Sequence, residues 1–103
     1  MVLTEGEMAL VEIVAKKKGC MLCDLAIGIL EEITRELPPG TLRWEVVDMG
    51  SRDGLRRHAE LTALCGRKPP VPSIVVNGKI AFDQIPDIVA LEEAVREALE
   101  LQG

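Results

Sequence analysis

Apolar and polar positions follow two rhythms along this chain, and each change of rhythm marks a change of element. Leu10-Val11-Glu12-Ile13-Val14-Ala15 is short, nearly continuous in apolar character and β-branched, which predicts a buried strand over about 9–15. The period then lengthens. Leu22, Leu25, Ala26, Ile29, Leu30, Ile33 and Leu37 recur at helical spacing and predict a helix over about 21–37. Pro38-Pro39-Gly40 ends it, because proline breaks the hydrogen-bond ladder and disfavours a helical residue before it. In Leu42-Arg43-Trp44-Glu45-Val46-Val47-Asp48 the apolar residues Leu42, Trp44 and Val46 alternate with Arg43 and Glu45, as in a strand with one wetter face. Trp44, in phase with its apolar neighbours, reads as a packing residue.

Ser51 is placed to cap a second helix over about 52–65, and Gly66 to close it. Leu55, Ala59 and Thr62, with a parallel row of His58, Leu61 and Cys65, supply its expected inner positions. Gly54 lowers the intrinsic helicity of its first turn. His58 follows Arg56 and Arg57, and the expectation is a partly exposed surface histidine. Arg67-Lys68-Pro69-Pro70-Val71-Pro72 is an extended connector, since its prolines forbid a helix. Ser73–Val76 and Lys79–Phe82 then form a hairpin about Asn77-Gly78, the strongest turn signal in the chain. Asp87 begins a third helix over about 87–101, with Ile88, Leu91, Ala94, Val95, Ala98 and Leu99 as its apolar stripe. The order is βαβαββα. An α/β fold with a four-stranded mixed sheet and helices on both faces buries all three stripes.

Composition narrows the function classes. The 103 residues suit a single domain, with 1–7 as a loose end. One Trp, one Phe and no Tyr give an aliphatic core and leave no stacking platform for single-stranded nucleic acid. A net charge of −5 argues against binding a duplex. No run reaches the length of a membrane span, and the first residues carry acids rather than a basic, apolar signal segment. A cytoplasmic monomer is expected. Three cysteines do not make a structural disulfide framework, so a disulfide here is catalytic or sensory.

The chemistry concentrates in Lys16-Lys17-Lys18-Gly19-Cys20-Met21-Leu22-Cys23, where the first strand hands over to the first helix. Residues three apart in a helical turn share a face at about 5–6 Å, which suits a disulfide. Cys20 falls at the helix N-terminus behind three lysines, and both the macrodipole and the lysines favour the nucleophilic thiolate. Cys23, one turn further in, is expected to be less exposed and of higher pKa, as a resolving thiol should be. The pair reads as a redox dithiol. Two packed structural cysteines are one alternative; a zinc site, for which Cys65 and His58 are the remaining candidate ligands, is a second, and a metal or iron–sulfur carrier using Cys20, Cys23 and a third ligand is another. Cys65 is read either as a small core residue or as a third redox-active thiol.

Taken in order, these elements resemble the thioredoxin fold in its short, glutaredoxin-like form, over about residues 9–101. Cys20-Met21-Leu22-Cys23 falls where that family carries its active-site motif. Val71-Pro72 falls where it carries a cis-proline before the third strand, and Asn77-Gly78 where its last two strands turn. The resemblance implies a thiol–disulfide oxidoreductase with Cys20 attacking and Cys23 resolving. It further implies that Pro72 lies against the dithiol and that Val71 offers backbone to an extended substrate. Lys17 matches a glutaredoxin lysine that contacts a glutathione carboxylate. The sequence departs from the family in three places. The motif interior is Met-Leu, Gly19 replaces the thioredoxin Trp, and Phe82-Asp83-Gln84 replaces the Gly-Gly-acid segment that holds glutathione's amino end. No resident cofactor is implied. Glutathione, a thioredoxin-reductase-like protein and another dithiol stand open as donors, and a protein disulfide is the expected substrate. A non-catalytic binding module on the same fold is the rival from another class.

Overall fold

The computed structural model describes residues 9–16 and 21–102. Its elements are β1 (Ala9–Ala15), α1 (Met21–Glu36), β2 (Leu42–Asp48), α2 (Arg52–Cys65), β3 (Ser73–Val76), β4 (Lys79–Phe82) and α3 (Ile88–Gln102). Each predicted element is present within a residue or so of its expected bounds. The caps do what their chemistry requires. Gly54 N–H donates to Ser51 Oγ at 2.9 Å, and Ala90 N–H to Asp87 Oδ1 at 2.8 Å. Gly66 closes α2 at φ 80°, a left-handed conformation that its missing side chain permits.

The four strands form one mixed sheet in the order β2-β1-β3-β4, with β1 parallel to β2 and antiparallel to β3, and β3 antiparallel to β4. The central strand β1 is buried on both faces, which explains its nearly unbroken apolar run. Ala9, Val11, Ile13 and Ala15 face one layer with Cys23, Ala26, Leu30 and Ile33 of α1 and Leu91 and Val95 of α3. Val14 faces the other layer, where it packs with Val47, Val75 and Leu61 of α2. Helices therefore cover both faces, α1 and α3 on one and α2 on the other. The second layer is the thinner, and its packing depends on Leu61.

Several expected inward positions point outward instead. Leu25 and Ile88 are exposed, because α1 docks along the row Cys23, Ala26, Leu30, Ile33 and α3 along Leu91 and Val95. Val46 is exposed although Leu42 is buried and Trp44 half-buried in the same phase, since β2 is an edge strand and the α1–α3 layer centres on β1. The largest correction concerns α2. Leu55 and Ala59 face solvent, and Gly54, His58 and Leu61 face the sheet. The cause is a close backbone approach: a Cβ built on Gly54 would lie 1.8 Å from the Asp48 carbonyl oxygen. Only the row that contains this glycine can sit against β2.

Candidate functional site

The register of the central strands decides what meets what. Val14, next to last in β1, pairs with Ser73, first in β3. The end of β1 that leads toward the cysteine motif and the end of β3 that follows Val71-Pro72 therefore lie side by side. Asp48, which ends β2, pairs with Ala15 at the same end, and Met49 N–H donates to the Ala15 carbonyl at 2.8 Å. The N-termini of α1 and α2 gather here as well. Carboxyl ends of adjacent strands with helix N-termini above them make the ligand-binding edge in open α/β sheets.

Cys23 occupies the first turn of α1 on its buried face, 5% exposed. This agrees with a sheltered second thiol. Cys20 and Lys17 lie outside the described residues. Asp24 is the acidic residue of that first turn, and Lys16, just after β1, is exposed. The Val71–Pro72 peptide is cis. Val71 is 41% exposed and Pro72 is also exposed, whereas Ser73 beneath them is fully buried. Among the described residues, Ser73 Oγ has no hydrogen-bond partner, although it is buried.

His58 departs from expectation. It is 5% exposed, and its Nε2–H donates to the Pro69 carbonyl at 2.9 Å. Its position in the inward row of α2 explains the burial; the charged neighbours Arg56 and Arg57 suggested otherwise only because they lie on other faces of the helix.

Cys65 belongs to the opposite end of the sheet. Its Sγ–H donates to the Gly78 carbonyl at 3.2 Å, in the β3–β4 turn. That turn is tied to the beginning of β1: Leu10 N–H donates to Asn77 Oδ1 at 2.9 Å, and Asn77 N–H to the Leu10 carbonyl at 2.8 Å. The structure thus separates Cys65 from the Val14–Ser73 end along the length of β3. Among the described residues no three His, Cys, Asp or Glu side chains are grouped as metal ligands.

Sequence reasoning overlooked one ionic feature. Glu12, 2% exposed on the α2 face of β1, receives both oxygens' worth of bonding from Arg57: Nε to Oε2 at 2.6 Å and Nη2 to Oε1 at 3.0 Å. Arg57 also donates to Glu60 at 2.9 Å. The hydrogen bond to Glu12, followed by that to Glu60, raises the Arg57 pKa above its already high ordinary value. The charged residue inside an otherwise apolar strand was the available signal, since a buried carboxylate requires a partner. Its partner, 45 residues away, was not identifiable from spacing.

Beside α1 a mostly apolar groove of ≈ 390 Å³ runs between Leu25 and Ala26 on one wall and Pro86, Asp87, Ile88, Val89 and Leu91 on the other. Ala26 stands one turn beyond Cys23 on the same helical face, so the groove borders the motif-bearing helix. Among the described residues no helix is long and apolar enough to cross a membrane. The chain matches no protein-family model and no curated protein sequence.

Proposed function

We propose that this chain is a thiol–disulfide oxidoreductase built on a thioredoxin-like arrangement, reducing protein disulfides through Cys20 and Cys23. The observation that carries the reading is the Val14–Ser73 register. It sets the strand that feeds the Cys-x-x-Cys motif beside the strand that begins at the cis Val71–Pro72 peptide. The burial of Cys23 and the exposure of Val71 are what a resolving thiol and a substrate-pairing edge require.

The reaction consists of two exchanges. Cys20 thiolate attacks one sulfur of the substrate disulfide; a Cys20–substrate disulfide forms, and the other substrate sulfur leaves as thiolate and takes a proton. Cys23, deprotonated, then attacks Cys20 sulfur, forming the Cys20–Cys23 disulfide and releasing the second substrate thiol. The substrate gains two electrons and two protons. An external dithiol restores the reduced pair by the same chemistry in reverse. Lys17 is assigned to favour the thiolate and to meet substrate carboxylates, and Val71 to pair with extended substrate backbone. The apolar groove beside α1 offers a seat for aliphatic substrate side chains. The proposed setting is the cytoplasm, where donor dithiols stay reduced.

Variants of the two cysteines test the assignment. With insulin as the substrate, Cys23→Ser accumulates a covalent protein–substrate disulfide, and Cys20→Ser has no turnover. Insulin reduction by Cys20→Ser at the wild-type rate would overturn the mechanism.

A further inference from the structure

We propose that His58 is a positioning residue that holds the Val71–Pro72 edge in place for an extended polypeptide; this rests on the oxidoreductase reading above. The segment Pro69-Pro70-Val71-Pro72 contains three prolines, so Val71 supplies its only backbone N–H. Such a stretch cannot fasten itself by backbone hydrogen bonds. Among the described residues it is held from outside at two points. At one end Ser73 enters the ladder opposite Val14. At the other, Pro69 is fully buried and its carbonyl accepts the His58 bond at 2.9 Å. A carbonyl can only accept, so Nε2 carries the proton.

His58 is suited to the task because α2 is itself fixed. The row Gly54, His58, Leu61 is the one pressed against the sheet, and the contact at Gly54 leaves the helix no freedom to approach further. Between the two anchors, Val71 stands exposed, and among the described residues no group hydrogen-bonds to its peptide. One N–H and one C=O are thus presented from a segment bracketed on both sides. Pairing with an extended chain depends on the direction of those two groups, since hydrogen bonds weaken steeply when misaligned. Without the His58 donor the Pro69 carbonyl is buried unsatisfied. The segment then shifts to reach water, and the Val71 edge shifts with it.

The role separates substrates by whether they have a backbone to dock. The test compares insulin with hydroxyethyl disulfide, using dithiothreitol as donor and the full chain as wild type, His58→Leu and His58→Gln. Far-ultraviolet circular dichroism confirms folding. For His58→Leu the KM for insulin rises about tenfold, the loss of roughly one buried hydrogen bond, with kcat within about twofold of wild type. The rate with hydroxyethyl disulfide also stays within about twofold, because that molecule makes no backbone pair. His58→Gln, which retains a donor, restores most of the insulin KM. If His58→Leu does not fold, His58→Asn, polar but too short to reach Pro69, takes its place. An unchanged insulin KM, or an equal loss on both substrates, overturns the positioning role alone. Absence of turnover of both substrates by wild type overturns the oxidoreductase reading and this inference together.

Discussion

Replacing Gly54 by alanine sets two physical arguments against each other. By helix propensity alone the change stabilises, since alanine in a helix is favoured over glycine by about 1 kcal/mol. The tertiary contact opposes it. The new methyl would lie 1.8 Å from the Asp48 carbonyl oxygen, 2.5 Å from its carbonyl carbon and 2.8 Å from its amide nitrogen. These are backbone atoms of β2 and cannot rotate away, so α2 must withdraw by about 1.5 Å to reach ordinary contact distance. That withdrawal disturbs the turn on which the helix begins, where Ser51 N–H and Ser51 Oγ both donate to the same Asp48 carbonyl at 3.0 Å. A lost N-terminal cap costs about 1 kcal/mol. Lifting Leu61 and His58 from the thinner layer adds the cost of a loosened core, about 2–3 kcal/mol for overpacking of this kind. The net is a loss of about 2–3 kcal/mol, or about 8–24 °C in Tm for a domain of this size. Urea unfolding followed by circular dichroism measures it. A Gly54→Ala variant as stable as wild type, or more so, would refute the claim that backbone contact at residue 54 sets the face on which α2 docks.

Two further perturbations probe the α2 face of β1 and the β3–β4 turn. Arg57→Met leaves Glu12 buried without its bidentate partner and lowers unfolding free energy by about 3 kcal/mol, whereas Glu12→Gln combined with Arg57→Met recovers part of the loss. Chemical denaturation of the single and double variants checks this, and a single variant within 0.5 kcal/mol of wild type (about the effect of an ordinary surface substitution) contradicts it. Asn77→Ala places alanine at φ 52° and removes the Oδ1 acceptor of Leu10 N–H, so thermal unfolding should show a loss of about 1–2 kcal/mol.

Local features were legible where short-range chemistry decides them. Strand and helix positions followed from period, the starts of α2 and α3 from Ser51 and Asp87, the end of α2 from Gly66, and the hairpin from Asn77-Gly78; each involves residues within one or two turns. Cys23 was equally legible, because its place in the first turn of α1 follows from the helical period of its neighbours.

Tertiary structure decided the rest. The apolar arc of α2 was broad enough to admit two rows, and a backbone approach at Gly54 selected the row with His58 instead of the row with Leu55. The same selection buried His58 and gave it the Pro69 carbonyl. Glu12 announced a need for a cation, but strand pairing and helix docking chose Arg57. Cys65 could have stood at either end of the sheet until its bond to Gly78 placed it at the end remote from Ser73. Periodicity along a chain reports which side chains avoid water; which of them touch is fixed only when separate elements compete for the same faces of a sheet.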